Sequence, residues 1–364
     1  MIGTTRRVNP DAGTIDWVRT PSQGLKVPPP DTKENVIYRV HPEREGRKLI
    51  FQIGTSDPDR AVAAARLFAA DVAGIDVNAG CPKPFSTHDG MGAALLKTPD
   101  KLCAILEALV AHIAPEFEIG ISVKIRLLET REQTEALVRR LCATGITGLT
   151  IHCRTAPMRP REPAIRGQLR MIADVCREAG VACLMNGDVD DRDQAMKLVE
   201  EFGVDGAMIA RGAETNPTCF RGLADGGPLE WRPMIEEYIK TSIQVQNRLG
   251  NTKYLLQQMI PGKEKIFKQI HPCKSYLAMC KVLGYEHLFE MAQETDVKLD
   301  IDDGGQLLSK QERLARRQSN ATALAASGDM AATRKATHKS QNSASGRGLI
   351  MTPEAATAST ALSA

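Results

Sequence analysis

The chain contains no Cys-x-x-Cys pair, no apolar run of eighteen residues and no apolar core in its first thirty residues. The first absence argues against a zinc knuckle or a redox dithiol, so no metal centre is expected. The second argues against a membrane-spanning helix. The third, with Pro28-Pro29-Pro30 in the same stretch, argues against a signal peptide. The cysteines at 81, 103, 142, 153, 176, 183, 219, 273 and 280 lie mostly in helix-like or strand-like apolar patterns. That suits reduced core thiols in the cytosol or the nucleus. A strong net charge is also missing. The formal +3 hides a +5 stretch from residue 310 on, with eight Lys/Arg against three Asp/Glu, which leaves −2 on the rest. The body therefore does not announce a nucleic-acid binder through its charge, and a local basic face would have to carry that role. No aromatic residue follows Phe289. Residues 301–364, rich in Ala, Ser, Thr, Gln and Gly, read as a disordered basic low-complexity tail.

Between these absences lies an ordinary composition, 42% hydrophobic and 25% charged, enough to bury a substantial core. From residue 48 to 213, short β-branched runs alternate with helix-period stretches. The runs are KLIFQIG (48–54), GIDVNAG (74–80), ISVKIRL (121–127), LTIHCRT (149–155), ACLMNGD (182–188) and AMIARGA (207–213). Helices are expected at 59–71, from Thr98-Pro99, from Thr130 to Gly145, and near 168–179 and 191–202, on cap and stop residues where these occur. Near-continuous apolar strands joined by helices predict a parallel sheet.

Every one of these strands ends on polar or special residues: Gln52, Asn78, Lys124 with Arg126, His152 with Arg154, Asn186 with Asp188, Arg211 with Gly212. Chemistry on all strand ends points to an α/β (β/α)8 TIM-type barrel, whose function assembles on its C-terminal rim, rather than a doubly wound sheet. Only six strands are visible where closure needs eight, so the first two are expected to be absent or badly degraded. Residues 1–35 read as an irregular segment, 36–215 as the incomplete barrel and 216–300 as a helical domain carrying Lys253, Lys263, Lys265, Lys268, Lys274 and Lys281. The turns Asn186-Gly187-Asp188 and Ala210-Arg211-Gly212 fall on inferred strands seven and eight, where such barrels hold a phosphate. Lys124, pointing inward, needs an anionic partner; a reduced flavin or a neighbouring carboxylate would serve. Residues 76–92, DVNAGCPKPFSTHDGMG, place a polar amide at a strand end and one thiol, Cys81, on a glycine-bounded loop.

The strings FQIGTSDPDRA, GIDVNAGCPK, GMGAALL, VKIR, IHCRT, NGD and MIARGA, between Tyr38 and about Gly212, resemble the tRNA-dihydrouridine synthase family, nearest its eukaryotic branch acting on position 20. NTKYLLQQM (251–259) resembles that branch's helical domain. The resemblance implies FMN held by Gln52, Lys124, His152, Asn186, Gly187, Asp188, Ala210, Arg211 and Gly212. It implies Cys81 as proton donor, with Asn78 and Arg126 beside the target uracil. NADPH or NADH is the implied reductant and tRNA the partner of a monomeric enzyme. The family's opening strand with Pro-Met-Val is not found. Two alternatives stay open at this point: an FMN barrel reducing a small pyrimidine, and an inactive or tRNA-chaperoning paralogue.

Overall fold

The computed structural model describes residues 2–19, 34–46 and 48–301, with residues 311, 312 and 315. The tail expected over 301–364 lies almost wholly outside them. Within Met1–Leu299 the described residues form one compact unit.

Six strands form one parallel sheet: β4 (Ile50–Ile53), β5 (Gly74–Asn78), β6 (Gly120–Leu127), β7 (Gly148–Thr155), β8 (Ala182–Asn186) and β9 (Gly206–Met208), paired in that order. Strand order follows chain order. With right-handed crossovers, every connecting helix then falls on one side and the sheet curls away from them. The result is a half-barrel, and among the described residues β4 and β9 each pair on one side only. The helices between the strands span Pro58–Arg66, Pro99–His112, Arg131–Cys142, Leu169–Glu178 and Arg192–Phe202. The third opens with a capping box, Thr130 and Gln133 each bonding the other's backbone N–H. The first ends at Arg66, short of the expected residue 71, with a turn of 3-10 helix at Ala69–Asp71.

The register sorts the strand residues by face. Phe51, Ile53, Ile75, Val77, Ile121, Val123, Ile125, Leu149, Ile151, Cys183 and Met185 are buried in the main core under the helices. The alternate positions form rows across the other face: Gln52–Asp76–Ser122, Asn78–Lys124–Thr150 and Arg126–His152–Asn186. On the central strands one face is thus aliphatic and the other largely polar, as period-two geometry allows.

The N-terminal segment corrects the sequence expectation. Residues 1–35 are not irregular throughout: β1 (Thr5–Asn9) and β2 (Thr14–Arg19) form a hairpin, and β3 (Asn35–Val40) completes an antiparallel sheet. Gly13, at φ +64°, takes the left-handed conformation in the hairpin turn. Trp17 fastens this sheet to the core. It is fully buried, stacks on Phe68 at 4.5 Å and donates its Nε1–H to the Leu67 carbonyl at 2.7 Å. Arg39 pairs with buried Asp16 and also donates to the carbonyls of Val245 and Gln246.

Helices Trp231–Gln244, Leu249–Met259, Lys265–Ile270, Tyr276–Leu283 and Phe289–Lys298 enclose a second cluster that includes Ile239, Leu256, Tyr276 and Ala292. No helix among the described residues is long and apolar enough to cross a membrane.

Candidate functional site

The polar face converges on the Cys81 loop through a chain of hydrogen bonds. Asp76, 7% exposed, accepts from Ser122 Oγ and from Gln52 Nε2, both at 2.7 Å. Gln52 Oε1 accepts from Asn78 Nδ2 at 2.8 Å. Asn78 Oδ1 accepts the backbone N–H groups of Gly80 at 3.1 Å and Cys81 at 3.0 Å. Arg126 holds the same loop from the other side. Its Nε donates to the Gly80 carbonyl at 2.7 Å and its Nη1 to the Thr155 carbonyl at 2.9 Å. The loop returns over Cys81 at Gly92, where φ is +59° and an added Cβ would lie 2.5 Å from the Cys81 carbonyl oxygen. Only glycine fits that turn. Cys81 itself is half-buried, whereas the other eight thiols are buried.

Beyond the loop the face is strongly positive. Burial pushes the Lys124 ammonium down to about 8, against the pull of Asp76 and with a further push from Arg126. His152 is driven to about 3 by burial and by Lys124, Arg126 and Arg154. It is therefore neutral near pH 7. Its Nε2 lies 3.2 Å from Arg154 Nη1; a guanidinium can only donate, so Nε2 accepts and Nδ1 carries the proton. Burial alone would raise the Asp188 carboxyl, but hydrogen bonds from Arg154 and Ala164, with the charges of Arg154 and Arg211, hold it below its ordinary value. Its Oδ1 accepts from Arg154 at 2.6 Å and from Arg211 at 2.8 Å. Arg166 Nη2 donates to the carbonyls of Gly187 and Asp188, while its buried Nε has no partner.

The donor set fits an anionic group. Lys124, Arg126, Arg154, Arg166 and Arg211 face two carboxylates, Asp76 and Asp188, and His152 cannot add a compensating charge. The side chain of Lys124 makes no hydrogen bond among the described residues, and the Arg166 Nε–H is an orphaned donor. The Gly187 backbone (φ +118°) passes His152 and Arg154, where a Cβ would meet them at 3.2 and 3.4 Å. Gly212 lies against the Asp190 carbonyl, with room for no Cβ at all. A hollow of about 410 Å³ next to Arg211 and Gly212 also carries Asp190 and Asp191. The anion-attracting part of the rim is therefore the arginine cluster around Gly187, not this hollow. No group of three or more His, Cys, Asp or Glu among the described residues is placed to hold a metal.

The residues named from the sequence divide into three sets. Gln52, Asn78, Lys124, Arg126 and His152 share the polar face, with Cys81 on the loop above. Asp188, Arg211 and Gly187 form the clamp with Arg154. Asn186 is spent within the sheet, donating from Nδ2 to the Met208 carbonyl at 2.9 Å, and Ala210 precedes the short helix Arg211–Thr215. Asp76, Ser122, Arg154 and Arg166 were not among the site residues expected from the sequence, Arg154 being noted there only as a strand end. The first three carry a signal: each lies two positions from a named residue on its own strand, and so on the same face.

A family model described as dihydrouridine synthase (Dus) matches residues 30–301. The chain is 46% identical over 284 residues to a tRNA-dihydrouridine(20) synthase (NAD(P)+) of Schizosaccharomyces pombe, covering 78% of this chain and 56% of that one. It is 42% identical over 281 residues to the Saccharomyces cerevisiae protein of the same name, covering 76% and 71%. A tRNA-dihydrouridine synthase B of Yersinia pestis is 32% identical over 197 residues, 53% of this chain and 58% of the other. The chain thus spans little more than half the length of the fission yeast relative. The match takes in the polar face, the Cys81 loop, the arginine clamp and the second helical cluster together: the chain belongs to the dihydrouridine synthase family.

Proposed function

We propose that this chain is the catalytic part of a tRNA-dihydrouridine synthase. It reduces the C5–C6 double bond of a uridine in the tRNA D-loop, at position 20, with FMN as cofactor and NADPH or NADH as reductant. The observation that carries this reading is the one half-exposed thiol, Cys81, on a loop tied by hydrogen bonds at both Gly80 and Cys81 to a cationic polar face.

Lys124, His152, Gln52 and the Gly187-Asp188 and Arg211-Gly212 turns would hold FMN, its phosphate toward the arginines. Bound there and reduced, FMN supplies the hydride that goes to C6 of the uracil. The chain's own residues do the rest. Lys124 supplies the positive charge that an anionic reduced cofactor requires. Neutral His152 presents Nδ1–H as a donor. Cys81 Sγ gives the proton to C5 as general acid. Arg126, with Nε spent on the Gly80 carbonyl and Nη1 on the Thr155 carbonyl, keeps Nη2 for a carbonyl or phosphate of the substrate. The uridine must leave its stack to reach this face, at a cost of a few kcal/mol, and single-stranded loops of folded RNA make such bases accessible. The exposed Lys263, Lys265, Lys268, Lys274 and Lys281 of the helical cluster favour an RNA over a small pyrimidine.

The test is Cys81→Ala with pre-reduced protein in single turnover, counting dihydrouridine per tRNA by mass spectrometry. Flavin content and reduction by NADPH should be retained, while dihydrouridine formation falls by about two to four orders of magnitude. His88, at the far end of the same loop, is the rival proton donor: near-normal turnover in Cys81→Ala, or loss only in His88→Ala, overturns the assignment.

A further inference from the structure

The hydrogen-bond chain beneath the loop has a direction, fixed by the groups at its two ends. Carboxamides are nearly symmetric in shape, so Gln52 and Asn78 could each sit either way round in the same space. The groups at the two ends decide. At the loop end, the N–H groups of Gly80 and Cys81 can only donate, so Asn78 must turn its oxygen to them. Its Nδ2 then donates to Gln52 Oε1, and Gln52 Nε2 must in turn find an acceptor. That acceptor is Asp76 Oδ2. Asp76 is buried, its other oxygen is held by Ser122 on the neighbouring strand, and Lys124 supplies countercharge.

We propose that Asp76 is a positioning residue: as the fixed acceptor at the buried end, it sets the sense of the Gln52–Asn78 amide relay and so holds the Gly80–Cys81 backbone in place. Without an obligate acceptor at 76, Gln52 can turn over and present its NH2 to Asn78. Asn78 must then turn its oxygen inward and its NH2 toward the N–H groups of Gly80 and Cys81. Donors then face donors, and the loop is released. The carboxylate acts on Cys81 through two side chains and touches neither the thiol nor the substrate. Its catalytic consequence rests on the functional reading given above.

The test reads the loop directly. The full chain is treated with iodoacetamide, and alkylation of each cysteine is followed by peptide mass spectrometry. The eight buried thiols report on global opening. Asp76→Asn should speed alkylation of Cys81 by about tenfold, the scale of two lost backbone hydrogen bonds, and leave the other eight unchanged. Gln52→Leu, which keeps the buried charge but cuts the relay, should do the same. The double variant Asp76→Asn with Asn78→Asp reverses the relay with every group satisfied. Asn at 76 donates to Gln52 Oε1, Gln52 Nε2 donates to Asp at 78, and that carboxylate still accepts both loop N–H groups. Its Cys81 rate should return to that of the unmodified protein. The proposal fails if the single variants leave the Cys81 rate unchanged. It also fails if they speed all nine thiols together, or if the double variant reacts as fast as Asp76→Asn. In the activity assay the single variants should lower kcat rather than raise KM. Alkylation that behaves as expected beside an active Cys81→Ala protein would sink the functional reading and leave the relay standing.

Discussion

Replacing Lys124 by methionine should stabilise the protein in the absence of cofactor, and by an amount that depends on pH in a calculable way. The lysine sits half-buried between the charges of Asp76 and Arg126, with no hydrogen-bonding partner among the described residues. Burial, countered in part by Asp76, lowers it from 10.5 to about 8. The folded state thus gives up the Lys124 proton about 2.5 pH units before the unfolded chain does. Carrying that proton through folding at pH 7 costs about 3 kcal/mol at 1.36 kcal/mol per unit. The sign follows from a depressed folded value. The neutral amine's contribution to stability is present in full above 10.5 and is lost as pH falls through 8. Methionine has nearly the same length and no proton to carry, so Lys124→Met should be the more stable protein at pH 7. Its advantage should narrow by about 1 kcal/mol between pH 7 and pH 9, as the native lysine deprotonates in the folded state only. Urea melts of both proteins at the two pH values give the quantity directly. Buried thiols and phenols that resist ionisation, such as Cys176 and Tyr276, weaken both proteins equally as pH rises and cancel in the difference. A Lys124→Met protein that is less stable by the same margin at pH 7 and pH 9 refutes the account. Lys124 would then be satisfied within the fold rather than poised for an anion.

His152, with its folded value near 3 against 6.5, should show imidazole C–H shifts in NMR that stay flat from pH 5 to 8. Its share of stability is complete above 6.5 and drains as pH falls toward 3; a midpoint near 6.5 would contradict the cationic field. Gly92→Ala forces a Cβ against Ser86 Oγ and the Cys81 carbonyl at a φ of +59°. It should cost about 1–3 kcal/mol and make the Cys81 loop more sensitive to limited proteolysis; an unchanged melt and digestion pattern would count against the loop geometry. Trp17→Ala empties a fully buried site stacked on Phe68. It should cost about 3–5 kcal/mol in urea melts; a loss under about 1 kcal/mol would mean the N-terminal sheet adds little to the core.

The half-barrel was legible because most of its strands are short, largely apolar runs, four of them with β-branched residues, and its flanking helices carry strong punctuation. Thr130 and Gly145 bracket a helix that the structure places at Arg131–Cys142, within two or three residues of the expected span. The hairpin β1–β2 was not legible. TRRVN and TIDWVR hold too few apolar residues to alternate visibly. Trp17 is buried by Phe68 and Tyr38, whose contribution lies in tertiary packing rather than local pattern. Within the site, the sequence picked out residues at strand ends, where function usually collects. It passed over Asp76 and Ser122 one layer deeper, because a single Asp within an apolar strand looks like an interruption until the register sets it opposite Gln52 and Ser122. Asn78 was expected beside a uracil edge. In the structure its side chain is engaged at both ends, by Gln52 and by the loop, a commitment that no spacing rule reveals.

Arg39 has a consequence for how the protein is made. The carbonyls that complete its hydrogen bonding belong to residues 206 and 207 positions later in the chain. At 5–20 residues per second, the ribosome needs about 10–40 s to deliver them. During that interval the nascent β1–β3 sheet holds the Asp16–Arg39 pair with part of the guanidinium still open to water. The half-barrel can be synthesised in full while its first sheet remains provisional. Val245 and Gln246, just past the end of helix Trp231–Gln244, therefore act as a latch, and strands translated early are made fast late.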